Sequence, residues 1–117
     1  MYGGSLKNNK AQGRSGGAVS IENGKIYVYG SEMSGNSAVN GGAIHLAGKT
    51  EAKITNIKLN NNTVTSMGGA IFTETNAGME IRNVEMAGNS AKNGGGIFVK
   101  AYANVNMYGG LVTCNKA

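Results

Sequence analysis

Several residue types that usually carry chemistry or shape a fold are scarce in this sequence. The 117 residues contain no proline, no tryptophan and no aspartate, and only one cysteine, Cys114. A single cysteine excludes an intramolecular disulfide, and with no Cys or His cluster around it we interpret Cys114 as a small side chain near a turn. No apolar run approaches the roughly 18 residues that a membrane span needs, so we predict no transmembrane segment.

The charge balance disfavours a nucleic-acid-binding domain. Eleven lysines and arginines against six glutamates give a net charge of +5. The basic residues are scattered through the sequence without a block of five or more like charges, which is typical of a solvated surface. We therefore predict no nucleic-acid partner.

Glycine and asparagine are abundant, and both recur at a fixed interval. A glycine pair followed by a small and an apolar residue begins at residues 16, 41, 68 and 94, in steps of 25, 27 and 26. An asparagine recurs at similar steps, at Asn9, Asn36, Asn62, Asn89 and Asn115. Such a period indicates a repeat architecture, in which the core lies between successive turns of the chain.

Each repeat contains three short apolar segments separated by corners. The first alternates with the period of a β-strand, as in Ile44 and Leu46, and the second contains pairs such as Ala52 and Ile54. The third surrounds the apolar residue that lies three before the recurring asparagine. No stretch carries the apolar stripe of a helix. We predict an all-β fold, a single-stranded parallel β-helix with three short strands in each coil of about 26 residues. Residues 1–117 would form one segment of about four and a half coils.

Two positions of the repeat have a structural interpretation. The residue six before the recurring asparagine is always Gly or Asn, which share a tolerance of positive φ, so we predict a left-handed corner there. The corner residues are Gly3, Gly30, Asn56, Asn83 and Gly109. We predict that Asn36, Asn62 and Asn89 stack and hydrogen-bond from coil to coil, as in cross-β ladders. Lys53 and Glu80 also fall at equivalent positions, which predicts opposite charges one coil apart.

The repeat resembles that of a known family. Gly Gly Ala Ile, as at residues 41–44 and 68–71, is followed later by an apolar residue, two others and Asn. This pattern looks like the paired GGAI and FxxN repeats of the polymorphic outer-membrane proteins and of related bacterial surface proteins. In this chain Leu6, Met33, Leu59, Met86 and Val112 stand where the family has the aromatic residue of FxxN. The resemblance implies an autotransporter passenger that folds as a right-handed parallel β-helix and acts in adhesion.

The acidic residues disfavour an enzymatic role. Parallel β-helices include polysaccharide lyases and hydrolases, but the six glutamates of this chain fall on different faces or corners. A glycosidase needs two carboxyl groups about 5–9.5 Å apart, whereas Glu22 and Glu74 are two coils, or about 10 Å, apart. His45 is alone on the outward face of its strand, where we predict a solvated side chain rather than a base or a ligand. We predict no catalytic residue, no metal site and no cofactor, and therefore no enzyme.

Outward-facing files of side chains are the predicted binding surfaces. On the first strand of the repeat, Phe72 and Phe98 follow Ser20 and His45 in one file, and we predict that both phenylalanines are exposed. A neighbouring flat file, also predicted to face outward, contains Ala18, Ala43, Ala70 and Gly96. A third file contains Tyr2, Tyr29, Thr55, Arg82 and Tyr108. Tyrosine favours binding surfaces, and the alternative is that these rings stack only to stabilise the strands.

The favoured function is structural. We predict an extracellular stalk, adhesin or assembly unit of a secreted or surface-displayed bacterial protein. The alternative is a polysaccharide-binding or polysaccharide-degrading module that uses Phe72 and Phe98. An ice-binding solenoid would need a regular file of threonines, which only Thr63 and Thr65 approach. Expected partners are a host surface, a glycan or other copies of the chain.

The two terminal half-repeats keep the internal pattern of the repeat. Residues 1–11 and 107–117 do not switch to the polar capping sequence that an isolated solenoid needs. We expect these 117 residues either to be a piece of a longer solenoid or to stack end to end with other copies and build a filament.

Overall fold

The computed structural model describes residues 1–117 as an all-β chain of eleven strands. The strands are β1 (Ser5–Lys7), β2 (Val19–Tyr29), β3 (Glu32–Ser34), β4 (Ser37–Asn40), β5 (Ile44–Thr55), β6 (Lys58–Asn60), β7 (Thr63–Met67), β8 (Ile71–Thr73), β9 (Gly78–Ala87), β10 (Ile97–Val99) and β11 (Asn104–Thr113). The chain forms no helix, and hence none long and apolar enough to cross a membrane.

Each strand pairs in parallel with the strand at the equivalent position one coil away. Val19 pairs with Ile44, Ile44 with Ile71, and Ile71 with Ile97, in steps of 25, 27 and 26 residues. These steps equal the intervals between the glycine pairs in the sequence. The predicted parallel β-helix is therefore confirmed, and equivalent residues of successive coils form files along its axis.

The path within a coil differs from the predicted three short strands. In β2 and β5 the first two segments run together as one long strand, because the corner between them is a register shift between Glu22 and Gly24. Between β8 and β9 the same corner interrupts the strand, and Asn76 there has a φ of 68°. A further strand follows the recurring asparagine, where β4 pairs with β7 in a separate two-stranded sheet. The apolar pattern does not predict this strand, because Ala38 and Val64 are its only buried apolar residues.

Buried apolar side chains fill the space that the coils enclose. Alternation in β5 turns Ile44, Leu46 and Ile54 inward, and each is at most 1% exposed. Ala43 and Ala70, which we predicted to face outward, belong to the same core. That prediction is wrong because the inward and outward alternation begins only at the first strand residue, after the turn at the glycine pair. Burying one large apolar side chain stabilises the fold by about 1.5–3 kcal/mol, so the column of such residues holds the coils together.

The glycine pairs lie where successive coils approach most closely. The first glycine of a pair has positive φ, 59° at Gly41 and 69° at Gly68. At the second glycine, a Cβ atom would overlap the next coil: one on Gly42 would meet the carbonyl oxygen of Gly69, and one on Gly69 would meet that of Gly95. The pair is therefore needed both for its backbone conformation and for the space it leaves.

The corner six residues before the recurring asparagine is left-handed in every coil. The φ angles are 64° at Gly30, 52° at Asn56, 50° at Asn83 and 65° at Gly109. Where two asparagines occupy the corner they are also bonded to each other, since Asn83 Nδ2 donates to Asn56 Oδ1 at 2.7 Å. Either Gly or Asn can occupy this corner because both adopt positive φ with little strain.

Candidate functional site

A ladder of asparagine side chains runs through the interior of the β-helix. Asn36, Asn62 and Asn89 are completely buried. The backbone N–H and the side-chain Nδ2 of Asn36 both donate to Asn62 Oδ1, at 2.9 and 3.1 Å, and Asn62 donates to Asn89 Oδ1 in the same way. Each Nδ2 also donates backwards to a carbonyl oxygen of the preceding coil, as Asn62 does to Met33. The ladder therefore satisfies its buried polar atoms and has one direction along the axis.

The file that contains His45 and Phe72 is covered rather than exposed. Ser20, His45, Phe72 and Phe98 are paired in register, as expected. The predicted exposure is wrong, because His45 is only 8% exposed and Phe72 only 1%. The physical reason is stacking, since ring centroids lie 5.5 Å apart for His45 and Phe72 and 5.8 Å apart for Phe72 and Phe98. The Lys100 ammonium also lies over the Phe72 ring, 5.4 Å from its centroid. Of the two phenylalanines only Phe98 keeps partial exposure, and Ser20 at the other end of the file is exposed.

A polar relay crosses three coils at His45. Ser20 Oγ lies 2.9 Å from His45 Nδ1, and His45 Nε2 lies 2.8 Å from Glu74 Oε1. An ionised carboxylate only accepts hydrogen bonds, so Nε2–H donates to Glu74 and Nδ1 accepts from the serine hydroxyl. The hydrogen bond from His45 and the charge of Lys100, whose Nζ lies 3.6 Å from Glu74 Oε2, hold the pKa of Glu74 below its ordinary value. Sequence reasoning missed this relay, although Ser20 and His45 occupy the same position of the repeat.

The order hydroxyl, imidazole and carboxylate is the one that activates a nucleophile. Acyl transfer also needs free N–H donors that stabilise the oxyanion. Gly16 lies against Ser20, but the N–H groups of Gly16, Gly17 and Ala18 all donate to carbonyl oxygens of the next coil. No groove of the surface is lined by Ser20, His45 or Glu74. The relay is thus suited to tying coils together, and the absence of enzymatic activity stays a prediction.

The tyrosine file, Tyr2, Tyr29, Thr55, Arg82 and Tyr108, lies on a different outward face. Its members are paired in register from coil to coil. Tyr2 is 85% exposed, and Tyr29 and Tyr108 are each about half exposed. The Tyr2 and Tyr29 rings lie 6.4 Å apart, and the Arg82 guanidinium lies 4.5 Å from the centre of the Tyr108 ring. Tyr27, two residues before Tyr29 on the same strand face, is also half exposed and enlarges this aromatic surface.

Opposite charges lie one coil apart on the outer faces, as predicted, but not every such pair forms a direct ion pair. Lys53 and Glu80 are register neighbours, yet Glu80 instead pairs with Arg82 of its own strand, with 2.6 Å between Oε1 and Nε. The hydrogen bond from Arg82 lowers the pKa of Glu80. Lys25 and Glu51, one coil apart, form an ion pair at 3.2 Å. No group of three or more His, Cys or acidic side chains is arranged to hold a metal ion.

The repeat matches a known family model. The Chlamydia polymorphic membrane protein repeat matches residues 30–47, 56–74 and 83–100. Each match starts at a left-handed corner, Gly30, Asn56 or Asn83, and continues through the asparagine ladder and the glycine pair. No curated protein and no solved structure gives a significant match. The predicted resemblance is confirmed, and repeats of this family suggest a bacterial outer-membrane or surface location.

Proposed function

Because the chain carries three polymorphic membrane protein repeats, we propose that it is an extracellular β-helix segment of a bacterial surface protein with a structural and adhesive role. The observation that best supports a structural role is the asparagine ladder. The same buried hydrogen bonds join each coil to the next from Asn9 to Asn115. Such a column holds successive coils at one spacing, about 4.8 Å, which suits a stalk that displays binding surfaces.

The tyrosine file supports the adhesive part of the proposal. Tyrosine is enriched at protein interfaces because its ring provides contact area and its hydroxyl a hydrogen bond. Tyr2 and Tyr29 lie side by side, with Tyr2 largely exposed and Tyr29 about half exposed. We propose that this file contacts the surface to which the protein adheres.

Adhesion is tested with beads coated with the purified chain and incubated with cultured epithelial cells. The double variant Tyr2→Ser, Tyr29→Ser should lose most of the binding. Tyr102→Ser is the matched control, since Tyr102 is 87% exposed but lies outside the file. Equal binding of the two variants would assign adhesion to another face, and no binding by the unmodified chain would contradict the adhesive role.

End-to-end self-association is a second part of the proposal. Asn9 Oδ1 accepts no hydrogen bond within the chain, while the backbone N–H of Asn115 donates none. The two ends of the ladder are thus complementary, and Leu111 and Val112 are exposed beside the Asn115 end. A head-to-tail contact of this kind does not close, so open oligomers of graded size are expected.

Light scattering over a concentration series tests this contact. The chain should give a ladder of sizes above the 12.0 kDa monomer, and Leu111→Lys should shift the distribution to monomer. Tyr102→Lys again serves as the control for added charge. A monodisperse monomer at high concentration would contradict self-association without affecting the adhesion test.

The alternative polysaccharide module loses its original basis, because Phe72 is buried and cannot stack on a sugar. The prediction of no enzymatic activity is checked by incubating the chain with a panel of polysaccharides and with p-nitrophenyl acetate. Turnover that disappears in Ser20→Ala would overturn it. Turnover that persists in Ser20→Ala would overturn it as well and would place the chemistry elsewhere.

A further inference from the structure

The small sheet formed by β4 and β7 carries a file of hydroxyl groups with a lysine at each end. Lys10 pairs with Ser37, Ser37 with Thr63, Thr63 with Ser90, and Ser90 with Lys116. Ala38 and Val64, the next residues along the two strands, are buried, so Ser37 and Thr63 point outward. Four steps of about 4.8 Å place the two terminal lysines about 19 Å apart. We call this surface the cationic face.

The cationic face is basic and contains no acid. Besides the two lysines of the file it carries Lys92, two residues after Ser90, and Arg14, whose carbonyl oxygen accepts the Val39 N–H at 2.8 Å. The four basic residues are all exposed, and none takes part in an ion pair. All six glutamates lie outside the segments 8–18, 35–43, 61–70, 88–96 and 114–117 that build this face. Its positive charge is therefore not neutralised by acidic side chains of the same face.

An open groove follows this face. Its volume is about 460 Å³, and its lining includes Lys10, Gln12, Ser37, Thr63 and Thr65. Hydroxyl and amide side chains in its lining present hydrogen-bond donors and acceptors, and Lys10 is the basic residue among them. The groove is open, and the file of paired residues beside it extends about 19 Å, which fits an extended polymer better than a small molecule.

We propose that the cationic face binds an anionic polysaccharide, with sulfate or carboxylate groups at the lysines and sugar hydroxyls along the serine and threonine file. The segments of this face contain no aromatic residue, so nucleobases find nothing to stack on, as single-stranded nucleic acid requires. Val39 and Met67, both only half-buried, are its large apolar side chains near the surface, and two such side chains are a weak apolar anchor for a lipid surface. This inference goes beyond the proposed adhesive role, because it uses a face other than the tyrosine file.

The test uses heparin as the probe, with binding followed by a fluorescence titration at several salt concentrations. The double variant Lys10→Gln, Lys92→Gln is compared with Lys49→Gln, Lys58→Gln, which removes the same charge from exposed lysines elsewhere. Dextran is the neutral polymer, and an oligonucleotide and anionic vesicles are the competing polyanions. Circular dichroism confirms that both variants keep the β-helix.

The unmodified chain should bind heparin and not dextran, and the Lys10, Lys92 variant should bind about tenfold more weakly while the control changes less than about twofold. The slope of log affinity against log salt should become shallower by about two for the first variant only. Equal losses in both variants would show that net charge, not this face, attracts heparin. Absence of heparin binding, or tighter binding to the oligonucleotide or the vesicles, would also overturn the inference. Loss of cell adhesion in the tyrosine variants, with heparin binding intact, would separate this result from the proposed function.

Discussion

Asn62 lies at the centre of the ladder, and its substitution by Ala tests what the ladder contributes to stability. Its side chain makes four hydrogen bonds: Oδ1 accepts from the N–H and Nδ2 of Asn36, and Nδ2 donates to Met33 O and Asn89 Oδ1. A buried hydrogen bond contributes about 1 kcal/mol net, and a buried donor left without a partner costs about 1–3 kcal/mol. The backbone N–H of Asn36 would be such a donor, because Asn62 Oδ1 is its only acceptor. We expect Asn62→Ala to lower the free energy of unfolding by about 3–5 kcal/mol.

Two further variants show whether the loss arises from the ladder. Asn62→Asp keeps the shape and the acceptor but replaces the donor Nδ2 by a second oxygen, so it should destabilise at least as much as Ala. Asn9→Ala removes only the bond from Asn9 Nδ2 to Asn36, at an exposed position, and should cost less than about 1 kcal/mol. The free energies come from urea denaturation followed by circular dichroism. A near-neutral Asn62→Asp, or equal losses at Asn62 and Asn9, would refute the account of the ladder.

Three other substitutions test the corner, the glycine pair and the relay. Gly30→Val should cost about 1–3 kcal/mol through strain at positive φ, whereas Gly30→Asn should be mild; equal melting temperatures for the two variants would refute the corner assignment. Gly69→Ala should prevent folding or lower the melting temperature severely, because its Cβ would overlap the next coil, while Gly78→Ala, with its nearest atom 3.9 Å away, should have little effect; similar effects of the two in a thermal melt would contradict the close approach of coils. The hydrogen bond from His45 lowers the pKa of Glu74, so its stabilisation is complete above the ordinary Glu value of about 4.3 and is lost as the pH falls through the lowered folded value. Glu74→Gln should therefore flatten the acid side of a plot of urea midpoint against pH, and an unchanged acid side would contradict the relay.

The repeat made the fold predictable, because each structural position occurs four or five times in the sequence. Gly30 alone indicates little about the backbone. Gly30, Asn56 and Asn83 occupy the same position of the repeat and share only their tolerance of positive φ, which indicates a left-handed corner. The burial of outward-pointing side chains was not predictable in the same way. Strand alternation indicates that His45 and Phe72 point outward, but it does not indicate how closely their rings stack between coils.

The relay and the cationic face could not be predicted from the sequence, for a different reason. Glu74 reaches His45 across coils through side-chain geometry that no sequence interval encodes. The strands β4 and β7, which contain Ser37 and Thr63, have too few apolar residues to be recognised in the sequence. The sequence therefore did not predict that their hydroxyl groups form a file on the surface.

Equivalence of the coils means that the β-helix can change length only by whole coils. Removing residues 36–61, which are 26 in number, would join Gly35 to Asn62 and put one ladder asparagine in the place of another. The glycine pairs, corners and core residues would stay in phase, and the β-helix would shorten by about 4.8 Å along its axis. A deletion that does not remove whole coils would put the repeat out of phase and bring a side chain to the place where Gly42 or Gly69 meets the next coil. Gain and loss of complete coils is thus the route by which such a protein can adjust how far it extends from a surface.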